Sequence, residues 1–246
     1  MNSFLCFRWI AVFAVIFTCA FADEPLDKYL VARWTFNGGS LKSDVGNYKL
    51  RQMDWGSAPS LDFDKDAARI GRGTLLICDD INSKALPKLT STVTIWIRVL
   101  FETPIVNDSF FYGFRDEPEP GNWKNLVFCG LGQPGQPDHS SLFCRFASKA
   151  QFGRSSTLPE MKPGLFHNVA MVFDGNANSI TYYVDSQELI GKHKEAASLD
   201  AFTNFAIGRL SASAASPEMV VDEIRIYGTA LNSKWIGEID PVVSKK

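Results

Sequence analysis

The sequence predicts an all-β domain, a sandwich or barrel of short strands, and three observations predict it. From Tyr29 onward apolar residues alternate with a period of two, the period of a half-buried strand. The alternating runs are short and are divided by Gly, Pro, Asn and Asp turns. Helical spacing is scarce. With 46% hydrophobic, 13% aromatic and 21% charged residues among 246, the composition excludes a disordered, collagenous or coiled-coil chain.

Residues 1–22 read as an export signal. Arg8 is its only charge, an apolar run spans Trp9 to Phe17, and Ala20-Phe21-Ala22 supplies the small-x-small cleavage pattern. A lipid anchor on Cys19 fits poorly, because Phe17 and Thr18 precede it. Residues 23–246 then form one domain, within the roughly 200 to 250 residues that a single all-β domain fills. Destinations consistent with this are secretion or the periplasm. A formal net charge of −2 without a Lys/Arg cluster offers no footprint for nucleic acid. No run after Phe21 approaches the ~18 apolar residues of a membrane span.

Along the body, Val31 to Asn37 places Ala32, Trp34 and Phe36 on one side, so that aromatic face points inward. Gly38-Gly39 ends the run. Further strands are expected at Tyr48 to Trp55, Leu61 to Asp64, Thr74 to Cys78, Thr92 to Phe101, Ser109 to Phe114 and Leu126 to Leu131. The series continues with Ser141 to Ala147, His167 to Asp174, Ser179 to Asp185, Asn204 to Gly208 and Val220 to Tyr227. In the run from Phe166 to Asp174, the residues Phe166, Asn168, Ala170, Val172 and Asp174 oppose His167, Val169, Met171 and Phe173. Gly175 to Asn178 then turn the chain into the β-branched and aromatic return strand Ile180-Thr-Tyr-Tyr-Val-Asp. Leu231, Trp235, Ile236 and Ile239 carry the spacing of one short helix packed back on the sheet.

Of five cysteines, Cys6 and Cys19 lie in the signal. Cys129 and Cys144 sit in matching apolar runs, and if these pair as neighbouring strands a disulfide is geometrically feasible; two buried thiols are the other reading. Cys78 is left as a small packed hydrophobe.

Several of these segments together resemble the laminin-G-like, concanavalin A-like lectin/glucanase domains. They are Val31-Ala-Arg-Trp-Thr-Phe-Asn with Asp44-Val-Gly-Asn, the Phe166 to Gly175 hairpin, Phe205-Ala-Ile-Gly, and Val221-Asp-Glu-Ile-Arg-Ile-Tyr-Gly-Thr-Ala-Leu. The resemblance spans residues 29–240 and implies a jelly-roll β-sandwich of two antiparallel sheets. It departs at Phe166, where the family usually has Trp, at Asp185-Ser186 in place of Asp-Gly, and across Pro104 to Ser141. It also implies that Asp44 and Asp222 help hold a structural calcium ion, whose 6 to 8 oxygen ligands come from carboxylates, carbonyls and water. The alternative is that Asp44 starts a turn and Asp222 satisfies backbone groups. Asp174-Gly-Asn-Ala-Asn-Ser imitates an EF-hand loop but lacks its Gly and final Glu, and reads as a hairpin turn.

Glucanases of this fold carry carboxylates on alternate residues of one strand, flanking the glycosidic bond. No such array is present. Glu238 and Asp240 lie in the C-terminal tail, adjacent Asp222 and Glu223 are expected on opposite faces, and Asp62 and Asp64 share a face with Asp66 following. His139, His167 and His193 lack a Ser or Cys elbow. The insertion from Phe110 to Trp123 mixes aromatics with acids and amides, and Tyr112, Asp116, Asn122 and Trp123 suit a sugar's apolar face and hydroxyls. Asn107-Asp-Ser109 is a formal N-glycosylation acceptor. The expected function is non-catalytic carbohydrate recognition by a monomer, with a glycan or an extracellular protein as partner. A glycoside hydrolase of this fold and a protein-scaffolding module are the alternatives.

Overall fold

A computed structural model describes residues 25–54, 61–79, 81, 92–102, 109–115, 126–131, 142–146, 151–154, 161–177, 179–192, 204–209 and 218–240. The signal at 1–22, Asn107, Asp116, Asn122, Trp123, His139 and His193 lie outside the described residues. Period-two patterning builds strands almost everywhere it occurs. They are β1 (Leu30–Trp34), β2 (Leu50–Asp54), β3 (Leu61–Asp64), β4 (Ala67–Ile70), β5 (Thr74–Cys78), β6 (Thr92–Phe101), β7 (Ser109–Arg115), β8 (Leu126–Leu131) and β9 (Leu142–Phe146). Then follow β10 (Gln151–Arg154), β11 (Phe166–Asp174), β12 (Ser179–Val184), β13 (Gln187–Lys192), β14 (Asn204–Gly208), β15 (Met219–Tyr227) and helix α1 (Ser233–Ile239).

Two antiparallel sheets stack without closing. One runs β13-β12-β11-β6-β15-β4-β3, with β1 also paired to β15; the other runs β10-β9-β8-β7-β14-β5-β2. Their facing sides supply one core. Ala32, Trp34 and Phe36 enter it as expected, each at most 1% exposed, together with Val169, Met171 and Phe173 from the hairpin. Trp34 stacks on Phe205 at 6.1 Å and meets Tyr48 at 6.4 Å, while Phe205 meets Phe114 edge-on at 6.0 Å. This aromatic ladder joins β1 of one sheet to β14 and β7 of the other. Offset and edge-on ring pairs add to the area they bury.

The opposite side of the larger sheet is covered in part by α1. Ile236 and Ile239 pack with Leu231 on Trp96, Ala170, Val172, Tyr183 and Tyr227. Asn232 caps the helix by accepting from the Trp235 N–H at 3.0 Å. Asp240, just past the helix, accepts from Trp96 Nε1 at 2.5 Å and from the Ser186 hydroxyl. The helix is thereby tied to both the sheet and the β12–β13 turn.

Cys129 lies directly opposite Cys144 in the β8–β9 pair, the neighbouring-strand placement that a bridge between them requires. Cys78 is buried in the core, where its thiol lies 3.8 Å from the Asp79 carbonyl oxygen.

Candidate functional site

The outer side of the larger sheet beyond the reach of α1 carries the chemistry. Sequence alternation places Asp222 and Glu223 on opposite faces, and the structure corrects this. Val221 pairs with Val99 but Glu223 with Arg98, so Asp222 is the extra residue of a β-bulge. Val221 and Ile224 both belong to the core, hence the two acids between them both face outward.

Each meets a guanidinium. Glu223 takes Arg225 in a two-pronged pair at 2.7 and 2.9 Å and Arg33 at 2.6 Å. Asp222 takes Arg98 Nε at 3.0 Å. Arg98 also reaches Asn168 Oδ1 at 3.5 Å and lies over the Phe166 ring at 5.1 Å. Burial pushes the Asp222 carboxyl up, Arg98 opposes this, and the nearby Glu223 and Asp66 add to the rise. Burial would raise Glu223 as well, but the hydrogen bonds and charges of Arg225 and Arg33 outweigh it and hold this carboxyl below its ordinary value.

The bulge forms one wall of a cleft of about 410 Å³. Asp64, Lys65 and Asp66 of the β3–β4 turn form another, Lys65 adopting a left-handed φ of 57° to make that turn. Phe166 at the start of β11 supplies a ring, and Leu100 and Val220 a short apolar floor. Arg69 and Glu102, paired at 2.8 Å, close the remaining side. Asp62 and Asp64 do share the exposed face of β3, as the alternation predicts.

The residues singled out from sequence fare differently. Tyr112 is 0% exposed within the core, which removes its ring from the faces open to a sugar. Asp44 accepts from the Thr35 hydroxyl at 2.7 Å, and its own N–H donates to the Arg33 carbonyl at 2.7 Å. Asp44 and Asp222 thus each have a protein partner. Among the described residues no three His, Cys, Asp or Glu side chains gather as a metal would need. Calcium takes 6 to 8 oxygens, and a carboxylate with a guanidinium 3.0 Å away does not fit that donor set. His167 Nδ1 lies 2.8 Å from Asp185 Oδ2, and Asp185 Oδ1 accepts the Asn168 N–H at 2.9 Å. This fastens the base of the hairpin and leaves His167 only 7% exposed. Arg98, Glu102 and Phe166 join the site without having been expected there; the signal was the parity that Arg98 on β6 shares with Leu100 and with Glu102 just past that strand, and the outward position of Phe166 opposite Leu100.

A carboxyl whose folded pKa lies below its unfolded value stabilises the fold above that unfolded value and loses the effect as pH falls through the folded one. Glu223 is in this class, with an ordinary value of 4.5. Denaturation midpoints are expected to fall as pH drops below about 4.5, and to fall less steeply in Glu223→Gln. Equal acid slopes in the two proteins would show that the Glu223 network contributes nothing.

The family described as the concanavalin A-like lectin/glucanases superfamily, of laminin-G type, matches residues 80–237. Curated proteins gave no match in sequence. Among solved structures, domain 4 of the extracellular GH43 arabinanase of Geobacillus stearothermophilus, in complex with arabinotriose, superposes with a TM-score of 0.62 at 15% identity, over 86% of this chain and 98% of that one. A mutant Trypanosoma rangeli sialidase displaying trans-sialidase activity gives 0.60 at 17% identity, over 85% of this chain but 32% of the other. The binding domain of Paraclostridial Mosquitocidal Protein 1 gives 0.64 at 14% identity, over 87% and 52%. The chain therefore spans about a third of the sialidase and half of the toxin domain. At these identities the likeness is one of fold. Among the described residues no helix is long and apolar enough to cross a membrane.

Proposed function

The chain belongs to the concanavalin A-like lectin/glucanase superfamily, and from that premise we propose that it is an exported, non-catalytic recognition domain whose bulge-side cleft binds carbohydrate. The cleft carries the reading, because it sets the Phe166 ring beside the carboxylates of Asp64, Asp66, Glu102 and Asp222. A sugar presents an apolar ring face and a rim of hydroxyls, and an aromatic surface flanked by acceptors complements both. Retaining or inverting glycosidase chemistry instead needs one carboxyl free to give its proton and a second across the scissile bond. Here Glu102 and Asp222 are each tied to an arginine, an arrangement suited to holding hydroxyls. Export into an oxidising compartment would also let Cys129 and Cys144, opposite one another, form their bridge.

Glycan-array binding by the intact protein and by Phe166→Ala tests this. The expected result is binding to a restricted set of glycans, weakened about tenfold or more in the variant, with the glycans left uncleaved. Undiminished binding by Phe166→Ala would move the site elsewhere. Silence across a broad array would favour a protein-interaction role, and shortening of a bound glycan would make the domain an enzyme.

A further inference from the structure

The family resemblance places a calcium ion at Asp222, and the residues around Asp222 do not accommodate one. We infer that Arg98 stands in for the metal, its guanidinium supplying the positive charge that holds the β15 bulge to the rest of the sheet.

The geometry is that of a three-way clamp. Arg98 sits on β6, the strand between β15 and β11. Its Nε meets Asp222 on the bulge at 3.0 Å, its Nη1 reaches Asn168 on β11 at 3.5 Å, and its plane lies over Phe166 on β11. A structural cation does this kind of work, drawing oxygen atoms from separate segments to one centre. Arginine does it with a permanent charge and a fixed fork of donors. The side chain is 23% exposed and Asp222 42% exposed, so the pair is partly shielded and partly open to the cleft. A divalent ion brought to the same carboxylate would face the guanidinium at close range, at a Coulomb cost that grows as water is excluded.

The inference goes beyond sugar binding and fails separately from it, because its test reads stability and needs no glycan. Thermal midpoints are measured for the full protein, Arg98→Gln, Asp222→Asn and the double variant, each with millimolar Ca²⁺ and with chelator. An ion bound only to the folded state must raise the midpoint. The expected result is the same midpoint for the unaltered protein in both conditions. Arg98→Gln melts a few degrees lower, and the double variant melts no lower than Arg98→Gln, because both substitutions act on the same interaction. A midpoint of the unaltered protein that rises with Ca²⁺ by several degrees would overturn the inference. So would additive losses in the double variant. If Arg98→Gln does not fold, the calcium titration of the unaltered protein and Asp222→Asn decides alone: no response in either supports the clamp, and a response that Asp222→Asn abolishes refutes it.

Discussion

Trp34→Ala is expected to destabilise the domain by about 3 to 5 kcal/mol, the range for emptying a large aromatic site in a close-packed core. The indole is 0% exposed and bridges the sheets, stacked on Phe205 and tilted against Tyr48. Its removal interrupts the ladder from β1 through Phe205 to Phe114, and neither flanking strand can move in without dragging its register. At about 2 to 4 °C per kcal/mol for a domain of this size, the melting midpoint should fall by about 6 to 20 °C. Trp34→Phe should cost much less. The indole Nε1 finds no acceptor among the described residues, so phenylalanine keeps most of the apolar volume and gives up no hydrogen bond. Equal losses for the two variants would show that ring volume is not what holds the sheets together.

Gly46→Ala is the second large effect. Gly46 has a φ of 87°, and a β-carbon there would lie 2.2 Å from the Val31 carbonyl oxygen and 2.4 Å from the Tyr48 ring. The oxygen is backbone of β1, so relief requires moving a strand or opening the loop. That loop is tightly closed: the Ser43 N–H donates to the Tyr48 carbonyl at 2.8 Å, and the Tyr48 N–H donates to the Ser43 hydroxyl at 2.7 Å. Left-handed strain alone costs about 1 to 3 kcal/mol, and the displaced contacts add to it. The variant should lose at least about 2 kcal/mol in chemical denaturation. Gly38→Ala makes the natural control, since Gly38 also has a positive φ of 61° but nothing lies within 4 Å of the added carbon. If both variants lose the same stability, backbone conformation and not the close approach sets the cost.

How far the fold could be read in advance depends on whether local pattern or pairing decides each feature. Trp34, Phe36, Val169, Met171 and Phe173 advertise their inward face by alternation alone, and all are buried. Strands β4, β10 and β13 were not foreseen. Ala67-Ala-Arg-Ile and Gln151-Phe-Gly-Arg are too short and too small-residue-rich to show a period. Gln187 to Lys192 follows a hairpin turn built from Asp185 and Ser186, both with positive φ, at 49° and 63°. Such a turn ordinarily advertises itself with a glycine; here Ser186 sits in its place and its hydroxyl bonds Asp240. Long-range pairing of this kind leaves no local mark.

The same division runs through the site. The outward parity of Asp62 and Asp64 was legible. The bulge at Asp222 was not, because an extra residue is defined only against the partner strand β6, more than a hundred positions away. Without it Asp222 and Glu223 divide between two faces, and the cleft lacks its wall. Tyr112 was misplaced for a related reason. It lies in the aromatic run Phe110-Phe-Tyr-Gly-Phe, where local pattern does not say which side faces inward; pairing decides it, because β7 is an interior strand of the second sheet and sends that ring into the core.

The central claim is that the cleft at the bulge is where ligand binds. It is tested most directly by titrating isotope-labelled protein with the tightest-binding oligosaccharide from the array and mapping the amide shifts. The account predicts saturable shifts concentrated at Asp64 to Arg69, Leu100 to Glu102, Phe166 and Val220 to Glu223. Shifts confined to residues 116–123 or to the smaller sheet, with the cleft unperturbed, would contradict it.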